Sequence, residues 1–249
     1  MTVRVKYPRT RHLPSSPGAS ADDEYLSDLG ALRAGEVVVT EKMDGENITI
    51  GKGYVHARSV DSPSHPSRTW VRALAGRLWP ELPAGMRVCG ENLYARHSIV
   101  YDELPSFFLV FNIWQDDVCL DWDSTLEWVQ LLGLTCVPVL YRGRFPDGDE
   151  RDLLRLWQKQ HDTRRSEGFV VRTAGSFERA QFGSHVAKWV RAGHVQTGQH
   201  WMSAAVTPNS LARKLHDTCP ATNGQSYRPL LGQLKRPPEP GPAPRSSRQ

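Results

Sequence analysis

Apolar and polar positions alternate in short runs along most of this chain. Residues 36–40 (EVVVT) and 46–50 (ENITI) are β-branched segments on either side of Met43-Asp44-Gly45, a pattern that predicts two strands flanking a turn. Residues 54–59 (YVHARS) predict a further strand, and 87–90 and 107–114 (FFLVFNIW) read as buried ones. Alternation within the last of these puts Phe107, Leu109, Phe111 and Ile113 on one face. Residues 136–141, 168–172 and 186–190 complete the set of strands. Helical periodicity appears at 67–79, where Trp70, Leu74 and Leu78 recur before Pro80. Asp123 or Ser124 is expected to cap a second helix through Leu132, with Glu127 completing a capping box and Gly133 as the stop. A third helix is predicted over 149–161. Strands outnumber helices and do not alternate with them, so the expected class is α+β on mainly antiparallel sheets.

The ends differ from the middle. Residues 1–35, rich in Pro, Ser, Gly and Arg, are expected to form an arm over the surface, with Tyr25, Leu26 and Leu29 available to anchor a short helix. The main domain is expected at 36–192, a small C-terminal segment at 193–227, and a disordered tail at 228–249, which holds six prolines. That tail also changes how the net charge of +4 is read: its five Arg or Lys and one Glu account for all of it. The rest of the chain is formally neutral, so any phosphate-binding surface must be local.

The 39% hydrophobic content and eight Trp suffice for a core. No apolar run approaches the ~18 residues of a membrane span, and the N-terminus has no apolar leader, so a soluble cytoplasmic protein without a membrane partner is expected. Cys89, Cys119, Cys136 and Cys219 form no CxxC pair and are expected to be buried, reduced thiols. The nine histidines show no HExxH pattern, and His194 and His200 share a metal only if tertiary structure brings them together.

Candidate chemistry begins at Glu41-Lys42-Met43-Asp44-Gly45. A lysine at a strand end, before a tight turn, is held with its amine towards a cleft, and it becomes a nucleophile once it loses a proton, which nearby cations or burial favour. Taken alone, a lysine beside a turn is commonplace. Arg58 stands near a strand end, where its fork suits a phosphate. Glu91, in Gly90-Glu91-Asn92, is placed to accept from ribose hydroxyls or support a metal. Phe111 is an aromatic able to stack on a purine. Glu167, in Ser166-Glu167-Gly168-Phe169, suits a divalent cation. Lys188 sits inside the apolar strand 186–190, where a lysine is costly to bury without a partner.

The order of these signals resembles the covalent nucleotidyltransferase superfamily of polynucleotide ligases and capping enzymes. The resemblance covers 36–191 and is closest to the RNA ligase 2-type family, through the Glu before the lysine and Gly-Glu-Asn-Leu-Tyr at 90–94. It implies an ATP-grasp-like nucleotidyltransferase domain at 36–192. About 58 residues follow, too few of them suited to a barrel for an appended OB domain. By this resemblance Lys42 attacks the α-phosphate of ATP, Glu41 reads the adenine and Phe111 stacks on it. Arg58 contacts phosphate, Glu91 the ribose, Glu167 supports Mg2+ or Mn2+, and Lys188 holds the α-phosphate. The implied partner is RNA with 5′-phosphate and 3′-hydroxyl ends, single-stranded or in a nicked duplex, with DNA as an alternative strand; a monomer is expected. Arg9, Arg11, Arg96, Arg164 and Arg165 are candidates for backbone contacts.

Two positions depart from the family pattern. Asn112 follows Phe111 where the family often has Asp, and Val190 stands where a second lysine is common. Either Arg191 or another cation replaces that lysine, or the register makes Lys188 the second. Alternative activities are DNA ligation, GTP-dependent capping, or a catalytically silent nucleic-acid scaffold of the same fold.

Overall fold

Two sheets face each other, and the side chains of interest sit on their inner faces. The computed structural model describes residues 4–146, 150–160, 162–194 and 205–212, all within a compact unit spanning 1–213. The strands are β1 (Arg11–His12), β2 (Glu36–Lys42), β3 (Glu46–Gly51), β4 (Tyr54–Ala57), β5 (Met86–Asn92), β6 (Phe108–Gln115), β7 (Val118–Cys119), β8 (Thr135–Cys136), β9 (Val139–Arg144), β10 (Gly168–Thr173), β11 (Phe177–Glu178) and β12 (Val186–Val190). The α-helices are α1 (Gly30–Arg33), α2 (Thr69–Leu78), α3 (Trp122–Leu131), α4 (Arg151–Gln160) and α5 (Phe182–His185). One sheet runs β1-β12-β10-β2-β9; the other runs β11-β7-β6-β5-β3-β4, with β8 also paired to β6. Pairing is antiparallel except β1 with β12 and β6 with β8. This is the expected α+β class.

Period-two alternation decides what faces the space between the sheets. In β2, Val37 and Val39 pack with Leu153 and Trp157 of α4, whereas Val38 packs against Leu109 of the other sheet. Lys42, at the same parity as Val38, therefore opens inward. Phe169, Val171, Ala187 and Trp189 join the α4 side, which turns Lys188 and Arg172 inward as well. In the second sheet Ile48, Ile50, Val88, Phe108 and Val110 pack on α2. Cys89 packs with Trp114 on the opposite face, and Glu91 shares that parity.

Several details differ from the sequence reading. Residues 136–141 do not form one strand: β8 pairs with β6 and β9 with β2, so the chain crosses between sheets at Val137-Pro138. Pro138 has no N–H to donate to a ladder, and its carbonyl accepts instead from Glu41 N at 2.9 Å. The cap of α3 is Asp121, whose carboxylate accepts from Ser124 N at 2.9 Å, rather than Asp123 or Ser124. Gly133, at φ +62°, does end that helix region.

In β6 the alternation is broken. Cys89 pairs with Asn112 and Gly90 with Val110, leaving Phe111 as the extra residue of a bulge. Ile113 consequently packs with Phe108 and Val110 and does not share the face of Phe111.

The segment ahead of β2 is woven into the fold. β1 extends the first sheet, and Tyr7, Leu13, Leu26 and Leu32 are buried, while Tyr25 is exposed. Cys89 and Cys119 are buried free thiols and Cys136 is partly buried; burial pushes them up to about 12, about 11 and about 11 respectively. Cys219, the tail at 228–249 and most of 193–227 lie outside the described residues. Within 205–212, Asn209 Nδ2 donates to Leu93 O at 2.8 Å. No helix among the described residues is long and apolar enough to cross a membrane.

Candidate active site

A cleft of about 580 Å3 opens between the inner faces, and Glu41, Lys42, Arg58, Glu91, Phe111, Glu167 and Lys188 all line it. Seven residues spread over 36–191 thus meet around one cavity of a size suited to a small ligand.

The floor is set by register. Lys42 is the Cα partner of Gly168 across β2 and β10, which places Glu167 next to it, and Lys42 Nζ lies 2.6 Å from Glu167 Oε2. Gly168 is required here because a Cβ would overlap the Trp189 carbonyl oxygen of β12. From sequence, burial or nearby cations are expected to free the Lys42 amine of its proton. Burial does act that way, but Glu167 and Glu91 outweigh it and hold the ammonium above its ordinary range. In this arrangement Lys42 is a paired cation.

Carboxylates surround it. Burial pushes the Glu91 carboxyl up to about 8 against the pull of Lys42, and Gly45 N donates to its Oε1 at 3.2 Å. Asp44 behaves oppositely. Although burial raises it, donors from His194, Ser98 and Ile99 hold it down at about 2. The Ser98 hydroxyl is at 2.7 Å and Ile99 N at 2.8 Å. The turn backbone is pinned too, with Asp44 N donating to Tyr101 OH at 2.9 Å.

His194, to which the sequence reading gave no role, has a side chain only 2% exposed, with Nε2 3.6 Å from Asp44 Oδ1 and 3.4 Å from Glu167 Oε1. Ligand atoms of Asp44, Glu167 and His194 lie within 4.8 Å of one another. Two carboxylates and an imidazole suit Mn2+ well and Mg2+ through the oxygens. The excess of buried carboxylate around Lys42 also calls for a further positive charge, so this donor set fits a divalent cation. His200 lies outside the described residues.

The walls carry the remaining groups. Phe111 faces inward with Leu109 by alternation, the bulge turns Asn112 the same way, and Phe111 packs edge-on to Tyr7 with ring centroids 5.4 Å apart. Asn112 uses both ends of its amide, donating to Tyr7 OH at 2.6 Å and accepting from Arg172 at 2.5 Å. Arg68, also on the cleft, grips Glu46 through Nε at 3.0 and 2.9 Å. Arg58 is exposed at the rim, just beyond β4, and shares with Tyr7 and Pro8 a second depression lined by Lys6, Arg9 and Arg179. Of the other candidate arginines, Arg11 pairs with Glu24 at 3.0 Å, Arg164 with Asp162 at 3.2 Å and Arg165 with Asp102 at 3.3 Å, none lining the cleft. Arg96 has a buried Nε without a hydrogen-bond partner among the described residues.

Comparison with known proteins gives these residues a context. Residues 35–190 match the RNA ligase family. A search of curated proteins finds no match. Among solved structures, an archaeal ATP-dependent RNA ligase (form 2) is similar at TM-score 0.52 and 17% identity, over 74% of this chain and 48% of that one. A mutant of the Naegleria gruberi RNA ligase with ATP and Mn is similar at TM-score 0.50 and 13% identity, over 76% and 57%. At these identities the likeness concerns the fold. The chain spans roughly half the length of these structures. With well over half of its residues matched, the chain belongs to the RNA ligase family.

Proposed function

We propose that this member of the RNA ligase family uses ATP to join a 5′-phosphate to a 3′-hydroxyl end of RNA, with Lys42 carrying AMP between the two halves of the reaction. The observation that carries the reading is the pairing of Lys42 with Glu167 at 2.6 Å on the floor of the cleft, with Lys188 on its wall.

In the first step Lys42 Nζ, once deprotonated, attacks the α-phosphorus of ATP. An N–P bond forms, the bond to the bridging oxygen breaks, and pyrophosphate leaves. Glu167 must first release the amine. Asp44, Glu167 and His194 would hold a magnesium or manganese ion, which supplies neutralisation of phosphate charge. A Glu167 carboxylate engaged in that way would hold the Lys42 proton less tightly, leaving it to pass to solvent before attack. Lys188 and Arg58 would face the phosphates, Glu91 the ribose, Phe111 and Glu41 the adenine.

In the second step the 5′-phosphate oxygen of a strand attacks the lysyl phosphorus and frees Lys42. In the third, a 3′-hydroxyl attacks the 5′-phosphorus of that adenylylated end and expels AMP. The choice of RNA rests on the family match over residues 35–190. End-joining assays on single-stranded RNA, nicked duplex RNA and nicked DNA test it. Sealing of RNA ends is expected, and sealing of DNA alone would reassign the substrate.

A further inference from the structure

Lys188 is held from behind by a carboxylate outside the family-matched region. Its Nζ lies 3.6 Å from Asp23 Oδ1, and Asp23 precedes the matched residues 35–190. Asp23 is built into place: its side chain is 6% exposed, and Ser20 donates to Oδ2 through N at 3.1 Å and Oγ at 2.8 Å. Arg9 Nη2 approaches Oδ1 at 3.4 Å, but that side chain is 46% exposed and its charge is screened. His12 Nε2 lies 3.4 Å from Oδ2. Burial, then Lys188, push His12 down to about 4, so at neutral pH it carries no charge and competes little for Asp23.

The same segment is fastened to the strand that carries Lys188. His12 and Lys188 are Cα partners across β1 and β12, and Leu13 N donates to Lys188 O at 2.8 Å. Ser16 Oγ accepts from Val190 N at 2.9 Å and meets His12 Nδ1 at 2.7 Å. Asp23 therefore sits on a rigid support.

A lysine side chain loses rotamer entropy at any site that must order it, and Lys188 shares the cleft with a second cation, Lys42. A fixed carboxylate offsets both costs in advance of ligand binding. We propose that Asp23 is a positioning residue that holds the Lys188 ammonium on the cleft wall for nucleotidyl transfer. The inference rests on the reading of Lys42 as the nucleotide carrier. It makes the segment before β2 part of the catalytic apparatus, acting through Lys188 without touching substrate.

The test is a cycle of wild type, Asp23→Asn, Lys188→Ala and the double variant, all as full-length protein. Two measurements are made: the initial rate of AMP labelling from α-labelled ATP, and the reactivity of Lys188 towards a small amine-modifying reagent, read by peptide mass spectrometry. Asp23→Asn is expected to slow labelling about 10-fold in the wild-type background and by less than about 2-fold when Lys188 is already Ala. Lys188 reactivity is expected to rise several-fold in Asp23→Asn. Equal slowing in both backgrounds assigns Asp23 a merely structural role and overturns the proposal, as does unchanged Lys188 reactivity. Should Asp23→Asn fail to fold, Asp23→Glu, which displaces the carboxylate by one methylene, enters the same cycle with the same expectations. Wild type that takes no label overturns the Lys42 reading and the catalytic part of this proposal, while Lys188 reactivity separately decides whether Asp23 holds it.

Discussion

Lys42 and Glu167 meet at 2.6 Å because β2 and β10 pair with Lys42 opposite Gly168. The contact comes from backbone register, so the two side chains are delivered together whenever the sheet forms. It also sets the resting state, an ammonium paired with a buried carboxylate, and under the proposed mechanism Lys42 attacks only once that partner is drawn away.

Because Glu167 and Glu91 raise Lys42 above its ordinary range, labelling of Lys42 should climb with pH and still be rising above about pH 9. Glu167→Gln removes the main partner, so its rising limb should move to lower pH. Its rate should nevertheless be at least ~100-fold down, since a ligand of the cation that would neutralise phosphate charge is lost. Single-turnover rates across the alkaline range check both.

Glu91 offers a separation of stability from activity. Its folded carboxyl is raised from 4.5 to about 8, so between those values the folded form binds more protons than the unfolded form and stability falls as pH rises. Glu91→Gln escapes that loss. Its melting temperature should gain on wild type steadily from pH 5 to pH 8, while nucleotide loading drops. A gap that shrinks with pH would contradict the assignment.

Much of the site is legible in the sequence. Alternation places Lys42 and Lys188 on strands, and both turn inward as period two requires. The order of motifs brings together residues that the two sheets then converge on. Phe111 is found in this way, but Ile113 is assigned to its face wrongly, because a bulge depends on pairing with β5 and leaves no mark in β6 itself. The strand over 136–141 fails for a related reason: Pro138 marks a break, but only tertiary pairing says that the halves join different sheets. Asp44 belongs to the motif around Lys42, yet the sequence assigns it no part. His194 follows a turn at Gly193, φ +71°, just beyond the end of β12, and no local signal points to it. Asp23 is hidden within a segment whose composition reads as a loose arm.

His194 is open to a direct metal measurement. His194→Ala should weaken Mn2+ binding about 10-fold, read by the free-ion paramagnetic resonance signal in the absence of nucleotide. Unchanged affinity would remove the imidazole from the cation site.

Gly168 tests the geometry of the floor. Gly168→Ala drives a methyl into the Trp189 carbonyl and should destabilise by about 2–3 kcal/mol, seen as a lower denaturation midpoint. A variant of wild-type stability would mean that β10 and β12 are less closely apposed than described.

The central claim is that Lys42 becomes covalently adenylylated. Incubating the protein with α-labelled ATP and Mg2+ or Mn2+, then mapping the label by peptide mass spectrometry, tests it most directly. The account predicts one AMP on Lys42, none in Lys42→Ala, and none from GTP. No label with either metal, label only from GTP, or label persisting in Lys42→Ala would contradict it.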